Sequence, residues 1–339
     1  MSDKMPKSES IDTGAVPLIE LWRGEILESL HRGHAVVIRD TGEIVENWGR
    51  PDALIYPRSS CKMVQALPLL ESGAGHGLAP EHLALACASH QGAAIHVERV
   101  ARWLNDMGLS EHDLRCGCQD PQDIPERDRL ILAGKKPCQL HNNCSGKHAG
   151  FLMLNRHLRG DAEYVDPSHP VQKSVRTAFE EVTGMASPGF GIDGCSAPNF
   201  ATELSALATA MARFSTATDD GTSRARAMVA LREAMMLYPE LVAGETRACT
   251  DLMRALKGKA AIKTGAEAVF VAILPEARLG IALKIVDGGT RAAEAAITAL
   301  LIRHAGLAPE HPVAQRYLGP ILNRRAFVTG HTRTAPNFI

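Results

Sequence analysis

The sequence predicts an α+β fold: one antiparallel sheet assembled from the N- and C-terminal segments, packed helices, and a helical subdomain inserted between them. Three observations lead there. Apolar, β-branched runs occur near both ends, at 34–49 and 268–287. The stretch between them carries apolar residues at spacings of three and four. Strands are segregated from helices rather than alternating with them, which argues against regular βαβ units.

Taken in order, the polar residues 1–14 read as a disordered tail, and 15–339 as a single domain. HAVVIRD (34–40) and EIVENWG (43–49) flank Thr41-Gly42, a hairpin signal. MVQALPLLE (63–71), HLALACAS (82–89), HVERVARWLNDMG (96–108), VQKSVRTAFEEVTG (171–184) and ALATAMARF (206–214) have helical spacing. AVFVAILP (268–275) and LGIALKIVD (279–287) read as a second hairpin. TRAAEAAITALLIRHAG (290–306) reads as a helix closed by Gly306. The sheet portion is thus expected from about 15–60 and 260–339, and the helical middle from about 60–260. No internal repeat is visible.

Composition narrows the function classes. With 339 residues, 45% hydrophobic and 22% charged, the chain can bury a substantial core. A formal net charge of −1 gives no electrostatic case for nucleic acid or an anionic membrane, so a small-molecule substrate is expected. The N-terminus lacks the apolar stretch of a secretory signal, and no run is long enough to span a bilayer. A cytoplasmic location follows as the default, with the eight cysteines as reduced thiols.

Four stretches carry candidate chemistry. In PRSSCK (57–62), Ser59 and Lys62 fit S-x-x-K and would share one helix face. The plain alternative is an N-cap serine beside a solvated lysine. Lys263-Thr264-Gly265 fits K-T-G, and Ser89 in CASHQG (87–92) supplies a loose middle element; together with S-x-x-K they suggest two pairs, Ser59–Lys62 and Ser89–Lys263. A serine hydroxyl needs a base, and a lysine serves only when burial or neighbouring positive charge lowers its pKa. Two lysines in one cleft would do this to each other.

In CQLHNNCSGKHAGFL (138–152), Cys138, His141, Cys144 and His148 have the spacing of a zinc knuckle, with Asn142, Asn143 and Gly146 suggesting a tight loop. Buried, inert thiols are the alternative. In GFGIDGCSAPNF (189–200), Asp193 precedes Cys195, which could add a ligand beside Cys144.

With RSSCKMVQALPL, CASHQG, NNCSGKHAG, GIDGCSAP, YPELVAGETRACT and KTGAEA in this order, the chain resembles the rhizobial-type L-asparaginase II family, the serine-based class. The resemblance runs from about 31 to 289. It implies a fold similar to glutaminases and serine β-lactamases, commonly a homodimer, and hydrolysis of L-asparagine to L-aspartate and ammonia. It implies Ser59 with Lys62 and Ser89 with Lys263 as catalytic tandems. Cys144, Lys147 and Cys195 would be zinc ligands of an auxiliary site, while Arg58, His90 and Asp193 would face the substrate. Lys147 is thereby chosen over Cys138, His141 and His148 on resemblance alone. Register with Lys62 favours Ser59 over Ser60 as nucleophile, with Lys62 taking its proton. Two rivals stay open at this point: a glutaminase, or a β-lactamase or penicillin-binding-like enzyme. One methylene in a pocket is worth only about 1–3 kcal/mol, so asparagine and glutamine are not separated.

Overall fold

The computed structural model describes residues 11–339. The core is an antiparallel sheet in the order Pro320–Leu322, Val328–Thr334, Val16–Arg23, Ile26–Arg39, Leu279–Ile285, Val269–Leu274, Ala261–Gly265. Ile44–Trp48 adds beside the second half of Ile26–Arg39. Both expected hairpins form, and Gly42 takes the left-handed conformation its turn requires. The α+β assignment and the sheet's origin in both chain ends therefore hold.

Every residue of Val269–Leu274 and Leu279–Ile285 is buried. Side chains alternate between faces, so such strands need cover on both sides. Helices Leu204–Thr216 and Thr290–Ala305 both pack on them. Gly280 permits the closest approach, because a Cβ there would run into the carbonyl of Ala208. Helix Thr290–Ala305 ends at Gly306 with φ +70°, as its sequence signal predicts.

Three local outcomes differ from the sequence reading. The expected helix over 63–71 is two short pieces, Lys62–Gln65 and Leu67–Glu71, after a 3₁₀ turn at Arg58–Cys61. Pro68 offers no N–H to continue the ladder. The expected tight loop around 142–148 opens instead into helix Ser145–Leu158, buried over most of its length. The expected tail lies mostly outside the described residues, but 11–14 form a turn to which His34 Nε2 bonds at the Ile11 carbonyl, 2.8 Å away.

Helix Ser145–Leu158 matters for the site. Gly146 lets it lie backbone to backbone on helix Pro80–Ala86, since a Cβ would strike the Leu85 carbonyl. That contact carries Cys144 and Lys147 to the segment bearing Ser89. Among the described residues no helix is long and apolar enough to cross a membrane.

Candidate active site

Three chain segments converge. The turn Arg58–Cys61 is pressed against strand Ala261–Gly265, and Gly265 has no room for a side chain: a Cβ would lie 2.6 Å from the Pro57 carbonyl. The end of helix Pro80–Ala86 delivers Ser89, whose N–H bonds the Val242 carbonyl at 2.8 Å. The K-T-G and S-x-x-K segments, about 200 residues apart in sequence, are therefore neighbours.

Lys263 is fully buried, and its Nζ donates to Ser89 Oγ at 2.8 Å and to the Thr264 carbonyl at 2.7 Å. Burial, then the charge of Lys62, pushes its amine down to about 7. Lys62, 1% exposed, donates to the Ala88 carbonyl and to Cys144 Sγ, the latter at 3.1 Å. Its hydrogen bonds go to those groups rather than to Ser59. Ser59 is half-buried and makes no capping bond, whereas Ser60 is fully buried and donates to the Pro57 carbonyl at 2.7 Å. The hydroxyl of Ser60 is thus committed to the turn.

Arg58 occupies the left-handed region at φ +52°, unusual for a non-glycine residue. Its own N–H is pinned to Asn199 Oδ1 at 3.2 Å. The guanidinium grips Asp193 Oδ1 through Nε at 2.9 Å and Nη2 at 2.7 Å. His90 is deeper: Nε2 lies 2.9 Å from Ser145 Oγ, Nδ1 accepts from the Gly92 N–H at 3.1 Å, and the ring stacks on His96. Burial holds it well below the usual imidazole range, so it is neutral. With both nitrogens engaged, His90 braces the segment after Ser89.

The zinc-knuckle arrangement of Cys138, His141, Cys144 and His148 does not form. Cys138 Sγ and His141 Nδ1 are 3.3 Å apart, and His141 Nε2 meets Glu126 Oε1 at 3.2 Å, in a cluster of their own. His148 Nδ1 bonds Tyr164 Oη at 2.9 Å. Cys138 and His141 belong to the 3₁₀ turn Gln139–His141, whereas Cys144 and His148 belong to the start of helix Ser145–Leu158. Among the described residues, no three His, Cys, Asp or Glu side chains gather closely enough to hold a metal.

Cys144, Lys147 and Cys195 do come together, with Lys147 Nζ 3.2 Å from Cys195 Sγ. A hydrogen bond from Cys144, then the charge of Lys147, holds the Cys195 thiol well below its usual range against the effect of burial. Cys144 keeps its proton, shared with Cys195 and with Asn143 Oδ1 at 3.0 Å. Burial opposes the charge on Lys147, yet the facing sulfurs outweigh it and raise its pKa. Two buried sulfurs are donors that zinc takes as thiolates; Lys147 could join them only after giving up the proton that it holds here. The buried His148 ring faces Cys195 and adds to what holds its thiol down.

Sequence reasoning missed Cys249, whose Sγ accepts from the Thr264 N–H at 3.3 Å. It also missed Asn199 and Asn143, which fix Arg58 and Cys144. Each lies in a stretch singled out above, but Asn199 and Cys249 find their partners across the fold, and Asn143 was read there only as part of a turn.

The sequence profile of the L-asparaginase II family matches residues 19–334, nearly the whole chain. The chain belongs to the L-asparaginase II family. As members of that family hydrolyse an amide, the chain is read as an amidohydrolase. No match was found among curated protein sequences. Among solved structures, the chain is similar to a β-lactamase from Mycobacterium bovis at 13% identity, covering 80% of this chain and 95% of that one, with a TM-score of 0.46. It is also similar to the D-alanine carboxypeptidase AmpC from Burkholderia cenocepacia at 10% identity, covering 81% and 92%, with a TM-score of 0.39. These are distant likenesses.

Proposed function

We propose that this L-asparaginase II family member hydrolyses L-asparagine to L-aspartate and ammonia through its two serine–lysine pairs. The observation that carries the reading is the buried Lys263 amine, 2.8 Å from Ser89 Oγ and brought to about 7, where it can both take and give a proton near neutral pH. In this reading Ser59, the more accessible serine, attacks the side-chain amide carbon while Lys62 takes its proton. Ser89 hands a proton to the departing ammonia and recovers one from protonated Lys263. Water then attacks the acyl-enzyme and gives its proton through Ser89 to Lys263. Lys62 returns the first proton to Ser59 as aspartate leaves. Both lysines end in the state in which they began.

A second reading has Ser89 attack with Lys263 as its base, favoured by the direct contact that the Ser59–Lys62 pair lacks. Intact mass of the protein quenched during turnover, in Ser59→Ala and Ser89→Ala, separates the two. An acyl adduct that survives only in Ser89→Ala supports Ser59 as nucleophile.

Cys144, Cys195 and Lys147 would hold a zinc ion, Lys147 as neutral amine and the cysteines as thiolates. The ion would supply positive charge and rigidity beside Lys62 and Asp193, auxiliary to the serine chemistry. Arg58 and Asp193 would orient the α-carboxylate and α-ammonium of the substrate. The same reading takes the enzyme to be a cytoplasmic homodimer, which sedimentation velocity tests for the oligomer.

A further inference from the structure

We propose that Lys284 is a positioning residue: it holds the turn at 266–268 against the turn Arg58–Cys61 and thereby fixes the place of Ser59. The inference rests on the reading of Ser59 as nucleophile given above. Two rows of cross-strand partners set the geometry. Lys263, Val271 and Ala282 lie side by side, and so do Gly265, Val269 and Lys284. Partners directly opposite one another point to the same face of a sheet, as do residues two apart along a strand. Lys284 therefore projects from the face that carries Lys263, the one on which the turn Arg58–Cys61 is seated at Gly265.

Lys284 is the one charged residue of strand Leu279–Ile285, and it is 8% exposed. Burying an ammonium is costly, and burial lowers its pKa against the pull of Glu267 and Asp287. What the amine gains there is a carbonyl: its Nζ donates to the backbone oxygen of Glu267. The next carbonyl, of Ala268, accepts the Ile285 N–H at 3.1 Å. Two adjacent residues of one strand thus grip two adjacent carbonyls of the turn. The turn needs that grip, because Glu267 and Ala268 both have φ +57°, which disfavours any residue but glycine or asparagine. Gly265 leads directly into it and has no room to move, being pressed on the Pro57 carbonyl, the Ser60 nitrogen and Arg58 Cβ. A turn that relaxed toward negative φ would shift Gly265 and, through it, the segment that bears Ser59.

The experiment measures ammonia release from L-asparagine by wild type, Lys284→Met, Lys284→Arg, Lys284→Met/Glu267→Gly and Ser59→Ala. Lys284→Met should lower kcat by about 10–100-fold with KM held within about twofold, the scale of a reacting group displaced by about 1 Å. Lys284→Arg keeps a donor for the carbonyl and should bring kcat back to within about threefold of wild type. Glycine adopts φ +57° without strain, so the double variant should regain most of what Lys284→Met loses. A lower melting temperature with kcat unchanged, or a rise in KM alone, overturns the inference. Should Lys284→Met fail to fold, the other two Lys284 variants carry the test, and a loss of kcat beyond about tenfold in either overturns it. Hydrogen–deuterium exchange at the Ser60 N–H, which bonds the Pro57 carbonyl at 3.1 Å, reads the turn without substrate. Faster exchange in Lys284→Met, reversed in Lys284→Arg, sustains the inference even if wild type proves inert on asparagine or Ser59→Ala keeps full turnover, outcomes that would sink the reading above alone. Unchanged exchange overturns the inference.

Discussion

Lys263 Nζ bonds Ser89 Oγ at 2.8 Å across 174 residues of sequence, with the lysine wholly removed from water. A buried ammonium is costly, and the fold meets that cost by letting the amine lose its proton near neutrality. This one contact ties the K-T-G strand to the helical middle and sets beside Ser89 an amine that burial brings down to about 7.

Its removal should be felt in turnover. Lys263→Met and Ser89→Ala are each expected to lower kcat by about 10²–10⁴, the range of a positioned proton-transfer group. Steady-state ammonia release checks this.

Stability should move in the other direction. The native state holds Lys263 neutral above about pH 7, while the unfolded chain keeps it protonated to about its ordinary 10.5. Between those values the unfolded state binds more protons, so this group's contribution to stability rises with pH, by up to about 1.4 kcal/mol per unit. Lys263→Met should remove that slope and melt higher than wild type at pH 7. Denaturant titrations at pH 7, 8 and 9 report it.

Arg58→Ala should raise KM for asparagine by about tenfold, the scale of one charge-assisted contact. The kinetics of Arg58→Lys provide the comparison: a point charge cannot reproduce the two-pronged grip on Asp193, so most of the defect should persist.

Gly265→Ala puts a methyl group 2.6 Å from the Pro57 carbonyl. The turn bearing Ser59 has to shift, at about 1–3 kcal/mol of stability. Activity should fall further than the melting temperature suggests, because the displaced backbone carries Ser59, the proposed nucleophile.

Metal analysis tests the proposed zinc. Cys195→Ser and Cys144→Ser should lose bound zinc while keeping the far-ultraviolet circular dichroism of wild type. Chelated wild-type protein should turn over more slowly without stopping. Complete loss of turnover with the fold intact would make the ion essential rather than auxiliary.

Legibility in the sequence followed local pattern. The hairpins at 34–49 and 268–287 and the Gly306 cap announce themselves through β-branched runs and turn residues. The strands Val16–Arg23 and Val328–Thr334 do not: the latter, VTGHTRT, is polar and takes its shape from pairing with the former. Helix Ser145–Leu158 was obscured for a related reason. Its buried Ser145, Lys147 and His148 are polar, so the periodicity that marks an amphipathic helix is missing where the site is built. The motif residues could be named from sequence. The pairing of Ser89 with Lys263 was named too, and the two are in contact; that Lys62 turns to Cys144 and Ala88 rather than to Ser59 could not be read, since those groups come from elsewhere in the fold.

The most direct test of the central claim is ammonia release from L-asparagine by wild type and Ser59→Ala, with L-glutamine and a chromogenic β-lactam in parallel. The account predicts release from asparagine that is lost in Ser59→Ala, and an intact β-lactam. Full turnover in Ser59→Ala would contradict the assignment of the nucleophile, and β-lactam hydrolysis without ammonia release would contradict the proposed function itself.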